Sequence, residues 1–264
     1  APGMADPECA PSDKHRFLFT TSTGHLVVYG SSPWRCCAVA IHSSHLPCLA
    51  STHVCSHPSA VLRTPAGIFS FTAAHLPAAH YPTEVFLEAC SSLHEVLARH
   101  KVRCRLVVGM DANVQFAPNS SEAVGGLTSC TSTPGLRERT LSSLALSLGL
   151  RFQNTFTSPD SDYLTHKPWN GSRRSQIDYI LLPVESEHAP CFTLDLPVQS
   201  DHRAVYTSIH VGAREKFVFR PSPKNWRLPA KPCVTPDASK YDNDVSSHTM
   251  YNDDIMLQLC AQES

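Results

Sequence analysis

The chain has 264 residues, 42% of them hydrophobic and 17% charged, with a formal net charge of −1. That is enough apolar material for a sizeable core, and the near-neutral balance excludes a strongly basic protein that holds nucleic acid by charge alone. Eleven cysteines without a Cys-x-x-Cys pair argue against a disulfide framework and for a reducing, intracellular setting; no apolar stretch approaches the roughly 20 residues of a membrane helix, and no secretory segment opens the chain.

Residues 1–24 read as an irregular segment, with Pro2, Pro7 and Pro11 and little periodicity. The chain begins Ala1-Pro2-Gly3 with its first methionine at position 4, so it is taken as N-terminally truncated. Strand-like runs follow at His25–Tyr29, Cys36–His42, Ala60–Arg63 and Ile68–Ala73, the last two joined by the turn composition Thr64-Pro65-Ala66-Gly67. Between them, residues 42–57 hold four histidines and two cysteines at spacings that match no standard zinc pattern, and they read as a polar loop. Pro82-Thr83-Glu84 opens the clearest helix, in which Val85, Phe86, Ala89, Cys90, Leu93, Val96 and Leu97 form one apolar stripe. Arg99-His100-Lys101 supplies the cations that suit a helix C-terminus.

A strand over Arg105–Val108 runs into Gly109-Met110-Asp111-Ala112-Asn113. A polar loop, Asn119–Pro134, precedes a second helix over Leu136–Leu148, which Gly149 closes. After another loop come strands Gln176–Leu182 and Ala204–His210, carrying Ile177-Asp178-Tyr179-Ile180 and preceded by Ser200-Asp201-His202. Alternating strand pairs with two good helices predict a layered α/β sandwich over residues 25–211. Residues 212–264, with Pro221, Pro223, Pro229, Pro232 and Pro236, read as a linker or disordered tail. Seven Lys/Arg fall between Arg203 and Lys231 against Glu215 alone, a run that suits a solvated linker or a phosphate backbone.

Each of the three polar motifs closes or follows an apolar run, where polar groups are costly unless hydrogen bonding or chemistry uses them. At a strand end Asp111 and Asn113 would project to the same side, one near an attacking water and the other at a phosphate oxygen. Asp178 sits among apolar neighbours and needs a partner. Placed behind His202 it would fix that imidazole's tautomer and favour its protonated form. Two carboxylates, an amide and a carboxylate–histidine pair are the groups that metal-assisted phosphodiester hydrolysis uses.

In this order the motifs resemble the endonuclease/exonuclease/phosphatase superfamily. Ser175-Gln176-Ile177-Asp178-Tyr179-Ile180 and the strand ending His75-Leu76-Pro77 are most similar to the endonuclease domains of non-LTR, LINE-like retrotransposons. The resemblance implies a four-layered α/β sandwich with two mixed β-sheets flanked by helices, and a Mg²⁺-dependent DNA-nicking endonuclease, with Mn²⁺ as an alternative ion. It implies that Asp111 orients or deprotonates the attacking water and that Asn113 holds that water or the phosphate. Asp201 would lie beside the metal. His202, oriented by Asp178, would bind the scissile phosphate, and His75 stands where the family often has a Tyr at the phosphate. Glu8 is the candidate for the principal metal ligand, although Pro7 replaces the family's usual Gln and no apolar strand precedes it.

The expected partner is DNA, contacted by Lys167, Trp169, Arg173 and Arg174, with a nuclear location for an active enzyme. Tyr251-Asn252-Asp253-Asp254 matches the Tyr-x-Asp-Asp of reverse transcriptases, which fits a parent polyprotein carrying such a domain but implies no polymerase activity here. Two other readings stay open: a remnant that only binds nucleic acid, and a phosphoesterase of the same fold acting on inositol or lipid phosphates.

Overall fold

A computed structural model describes residues 18–21, 24–31, 36–130, 133–156, 163–169, 173–186, 189–195 and 200–211. Glu8, the prolines and cations beyond Val211, and the Tyr251-Asn252-Asp253-Asp254 segment lie outside the described residues.

Eleven strands and two helices are described. The first sheet is antiparallel: β1 (Leu18–Thr20), β2 (Leu26–Ser31) and β3 (Cys36–Ile41). The central sheet has six strands in the order β4 (Leu49–His53), β5 (Ser59–Thr64), β6 (Gly67–His75), β7 (Arg105–Asp111), β9 (Asp178–Pro183), β8 (Leu150–Phe152). It is mixed: β6 and β7 run parallel, and every other neighbour is antiparallel. Helix α1 (Thr83–Lys101) makes the crossover that this parallel pair requires. Helix α2 (Leu136–Ser147) leads into β8 through Gly149, whose φ of 66° is the left-handed turn that glycine adopts without steric cost. A third, two-stranded antiparallel sheet joins β10 (Cys191–Leu194) and β11 (Ala204–Thr207).

Side-chain alternation explains the layers. On β7, Leu106, Val108 and Met110 face the helices, while Val107 faces away; on β9, Tyr179 and Leu181 face the helices, and Ile180 and Leu182 face away. The helix-side core takes in Phe86, Ala89, Cys90, Leu93 and Leu97, five members of the stripe that predicts α1. The opposite core packs Phe69, Phe71 and Ala73 of β6 against Leu26, Val28, Val39 and Ile41 of the first sheet and Val205 of β11. Each large side chain so buried contributes about 1.5–3 kcal/mol. The mixed α/β architecture is therefore as the sequence predicts. The layer facing the mixed sheet is made of two antiparallel sheets, and a fourth, helical layer is not found among the described residues.

Several local expectations are corrected. Leu18–Thr20, inside the segment expected to be irregular, forms β1 because it pairs with Leu26–Val28. The polar loop at 42–57 contains a short 3-10 turn, Ser43–Cys48, and the edge strand β4, whose pairing with β5 outweighs its weak pattern. The eight described cysteines are thiols, and burial pushes Cys37, Cys90 and Cys191 up to about 12. No helix among the described residues is long and apolar enough to cross a membrane.

Candidate active site

Three side chains meet across one rung of the central sheet. His75 closes β6, Asp111 closes β7 and Asp178 opens β9; the register pairs His75 with Asp111 and Asp111 with Asp178. All three lie on the face away from the helices, because each is an even number of residues from a neighbour in that core: Ala73, Val107 and Ile180. His75 Nε2 lies 3.2 Å from Asp111 Oδ2, and both residues are buried.

The fourth member comes from the facing layer. His202 lies two residues before β11, and its Nδ1 is 3.1 Å from both oxygens of Asp178. Burial by itself would lower the His202 pKa. The hydrogen bond and charge of Asp178, with the charges of Asp111 and Asp201, more than offset this and raise it to about 9. Burial raises the Asp178 carboxyl, and Asp111 adds to the effect, while His202 and Thr165 oppose it. Asp178 thus favours the protonated His202 ring, while burial leaves the Asp178 carboxyl raised on balance.

The chain braces this pair from several directions. Asp178 is only 4% exposed. Thr165 Oγ1 accepts from the backbone N–H groups of Ile177 and Asp178, and Asn154 Nδ2 donates to the Asp178 carbonyl at 2.9 Å. One residue on, the Tyr179 hydroxyl donates to the carbonyls of Val114 and Gln176, and its ring packs edge-on against Phe116 and Phe152. Fully buried Tyr179 therefore ties the strand bearing Asp178 to the segment that follows Asp111.

Asn113 departs from the expected geometry. The strand ends at Asp111, and Asn113 turns out of it with φ 49°, a left-handed conformation that Asn tolerates better than most residues. Strand alternation therefore does not align it with Asp111. Its Nδ2 donates to the Leu76 carbonyl at 2.9 Å, and its backbone N–H donates to Asp111 Oδ1 at 3.0 Å. The amide thus stitches the ends of β6 and β7 together and holds Asp111 in place.

Asp201 stands beside this group with its Oδ1 4.0 Å from His202 Nε2. Its other oxygen meets a residue that sequence reasoning missed: His166 Nε2 lies 3.2 Å from Asp201 Oδ2. Residues 165–167 pair with 201–203 through Lys167 N–H to the Asp201 carbonyl and Arg203 N–H to the Thr165 carbonyl, both 2.7 Å. No motif flags His166, since it enters the site through these isolated backbone bridges. Two groups of possible metal ligands result: Asp111, Asp178 and His202; and His166, Asp201 and His202. The histidines and cysteines of residues 42–57 form no such group among the described residues. Around the site, Lys167 and Arg173 are exposed, Arg174 is half-buried and Trp169 is 61% exposed.

No family model and no curated protein matches the chain. Among solved structures it is similar to the endonuclease domain of TRAS1, a telomere-specific non-LTR retrotransposon, at 18% identity and a TM-score of 0.39, over 56% of this chain and 60% of that one. It is also similar to an endonuclease/exonuclease/phosphatase family protein from Leptotrichia buccalis C-1013-b, at 15% identity and a TM-score of 0.40, over 59% of this chain and 53% of that one. The chain thus spans less than two thirds of either structure, and both are partial overlaps of fold.

Proposed function

We propose that this chain is a metal-dependent phosphodiester hydrolase that nicks DNA. The observation that carries the reading is the convergence of His75, Asp111 and Asp178 on adjacent strands with His202 and Asp201 from the facing layer. In this reading His202, held by Asp178, binds a non-bridging oxygen of the scissile phosphate and stabilises the charge that develops there. Asp111, oriented by His75 and the Asn113 backbone, positions the attacking water and takes its proton. The second proton on Asn113 Nδ2 is a further donor for the phosphate, and His75, which the family resemblance places near it, acts through Asp111.

The donor set suits Mg²⁺, which binds through one or two carboxylates and keeps several waters. Asp201 would hold it, with Glu8 as the second ligand outside the described residues. A bound divalent cation supplies positive charge to the phosphoryl oxygens and lowers the pKa of coordinated water. Exposed Trp169, Lys167 and Arg173, with Arg174, offer a stacking face and cations for a nucleic-acid strand. A retroelement source, with a reverse transcriptase domain in the parent polyprotein, is part of the same proposal.

Incubation with supercoiled plasmid and Mg²⁺ tests it. Nicking is expected, and His202→Ala should reduce it by roughly 10²-fold or more. Salt-sensitive DNA binding without nicking would instead favour a non-catalytic binding module, and phosphate release from inositol polyphosphates would favour the phosphoesterase.

A further inference from the structure

We infer that His166, Asp201 and His202 form a binding site for a d-block divalent cation such as Zn²⁺, distinct in its donors from an all-oxygen Mg²⁺ site. Two imidazole nitrogens and one carboxylate are the ligand types that such ions prefer, whereas Mg²⁺ seeks oxygen. One ligand atom from each of the three side chains lies within 4.8 Å of the others, and all three residues are half-buried, leaving access from solvent.

The surroundings of the two rings carry the argument. His202 Nδ1 is engaged by the Asp178 carboxylate, and His166 Nδ1 lies 3.3 Å from Ser175 Oγ. Metal-binding histidines are typically held in this way, with one ring nitrogen directed to a carboxylate or another acceptor so that the other nitrogen faces the ion. Here both remaining Nε2 atoms face the same carboxylate, at 3.2 Å from Asp201 Oδ2 and 4.0 Å from Asp201 Oδ1. In the tautomer with Nδ1–H directed outward on each ring, two lone pairs and a carboxylate converge, an arrangement that a cation satisfies.

Tetrahedral ligation at 2.0–2.2 Å places neighbouring ligand atoms about 3.3 Å apart. The first separation already has that value, the second is 4.0 Å, and the whole set lies within 4.8 Å. The backbone is set for it: the bridges between residues 165–167 and 201–203 fix the two segments, and the rings lie 5.0 Å apart, centroid to centroid. Since Asp201 and His202 also belong to the proposed hydrolytic arrangement, the softer ion and that arrangement exclude each other.

The test needs no DNA and is read independently of hydrolysis. Chelator-treated protein is titrated with Co²⁺, followed by visible d–d absorption, and the bound ion is then displaced with Zn²⁺. One ion per chain is expected, without thiolate charge-transfer absorption, displaced by Zn²⁺ and resistant to excess Mg²⁺. His166→Gln should weaken binding at least tenfold while leaving the far-UV circular dichroism unchanged. If that variant fails to fold, histidine nitrogen NMR of the wild-type chain serves instead, with the His166 and His202 Nε2 signals expected to shift on Zn²⁺ addition. A thiolate band, unchanged affinity in His166→Gln, or unshifted Nε2 signals would each overturn the assignment.

Discussion

His57 offers a test of the packing that does not depend on any functional reading. It sits between β4 and β5, has no solvent exposure, and its ring meets the Ala89 backbone. Burial pushes its pKa down from 6.5 to about 4, with the Ala89 backbone working in the opposite direction. The folded state therefore requires a neutral ring. The stability this represents is fully present above pH 6.5 and is lost as the pH falls towards 4, because the unfolded chain binds the proton first. Each pH unit in that window costs about 1.4 kcal/mol, so the loss between pH 7.5 and pH 5 is about 2 kcal/mol. Urea unfolding, followed by circular dichroism at both pH values, measures it in the wild-type chain and in His57→Leu, which keeps an apolar group of similar size. The leucine variant should retain about 2 kcal/mol more of its stability at pH 5 than the wild type does. Equal acid sensitivity in the two proteins, to within about 0.5 kcal/mol, would refute a buried neutral imidazole.

Two further outcomes follow from contacts around the site. With EDTA present, NMR titration should find His202 protonated up to about pH 9, and Asp178→Asn should bring that value down by more than a unit. Because the folded value is raised, the stabilising contribution of the pair is complete below pH 6.5 and fades as the pH passes 9, a dependence the variant should lack. Arg137 of α2 donates to the carbonyls of Pro77, Ala78 and Tyr81 and lies over the Phe86 ring at 4.7 Å, so it pins the segment that follows His75. Arg137→Ala should cost about 2–3 kcal/mol in chemical denaturation, since three hydrogen bonds from a charged group and one cation–π contact are lost.

Much of this architecture was legible where a pattern is long or chemically costly. The stripe on α1 runs from Val85 to Leu97 in a helix of nineteen residues, and every buried residue of the helix belongs to it. Asp178 stood out because a carboxylate amid Ile177, Tyr179 and Ile180 needs a partner, and the partner it meets is His202. Short elements were not legible. β8 has three residues directly after a helix, and β4 reads Leu-Ala-Ser-Thr-His, so pairing with neighbours, not local preference, makes them strands. The positive φ at Asn113 also escaped the sequence, because strand alternation was extended past the residue where the strand stops. His166 had no local signature at all, since its role arises from two loops bonded to each other.

The shared rung of His75, Asp111 and Asp178 ties any activity to the folding pathway. The strands that meet there are brought together from positions 75, 111 and 178, so the rung is closed by contacts distant in sequence. A slip of one residue in any of these strands would turn its polar terminus into the opposite core, so a misregistered chain cannot keep a partial version of the constellation. The constellation is therefore present only when all three strands hold their native register.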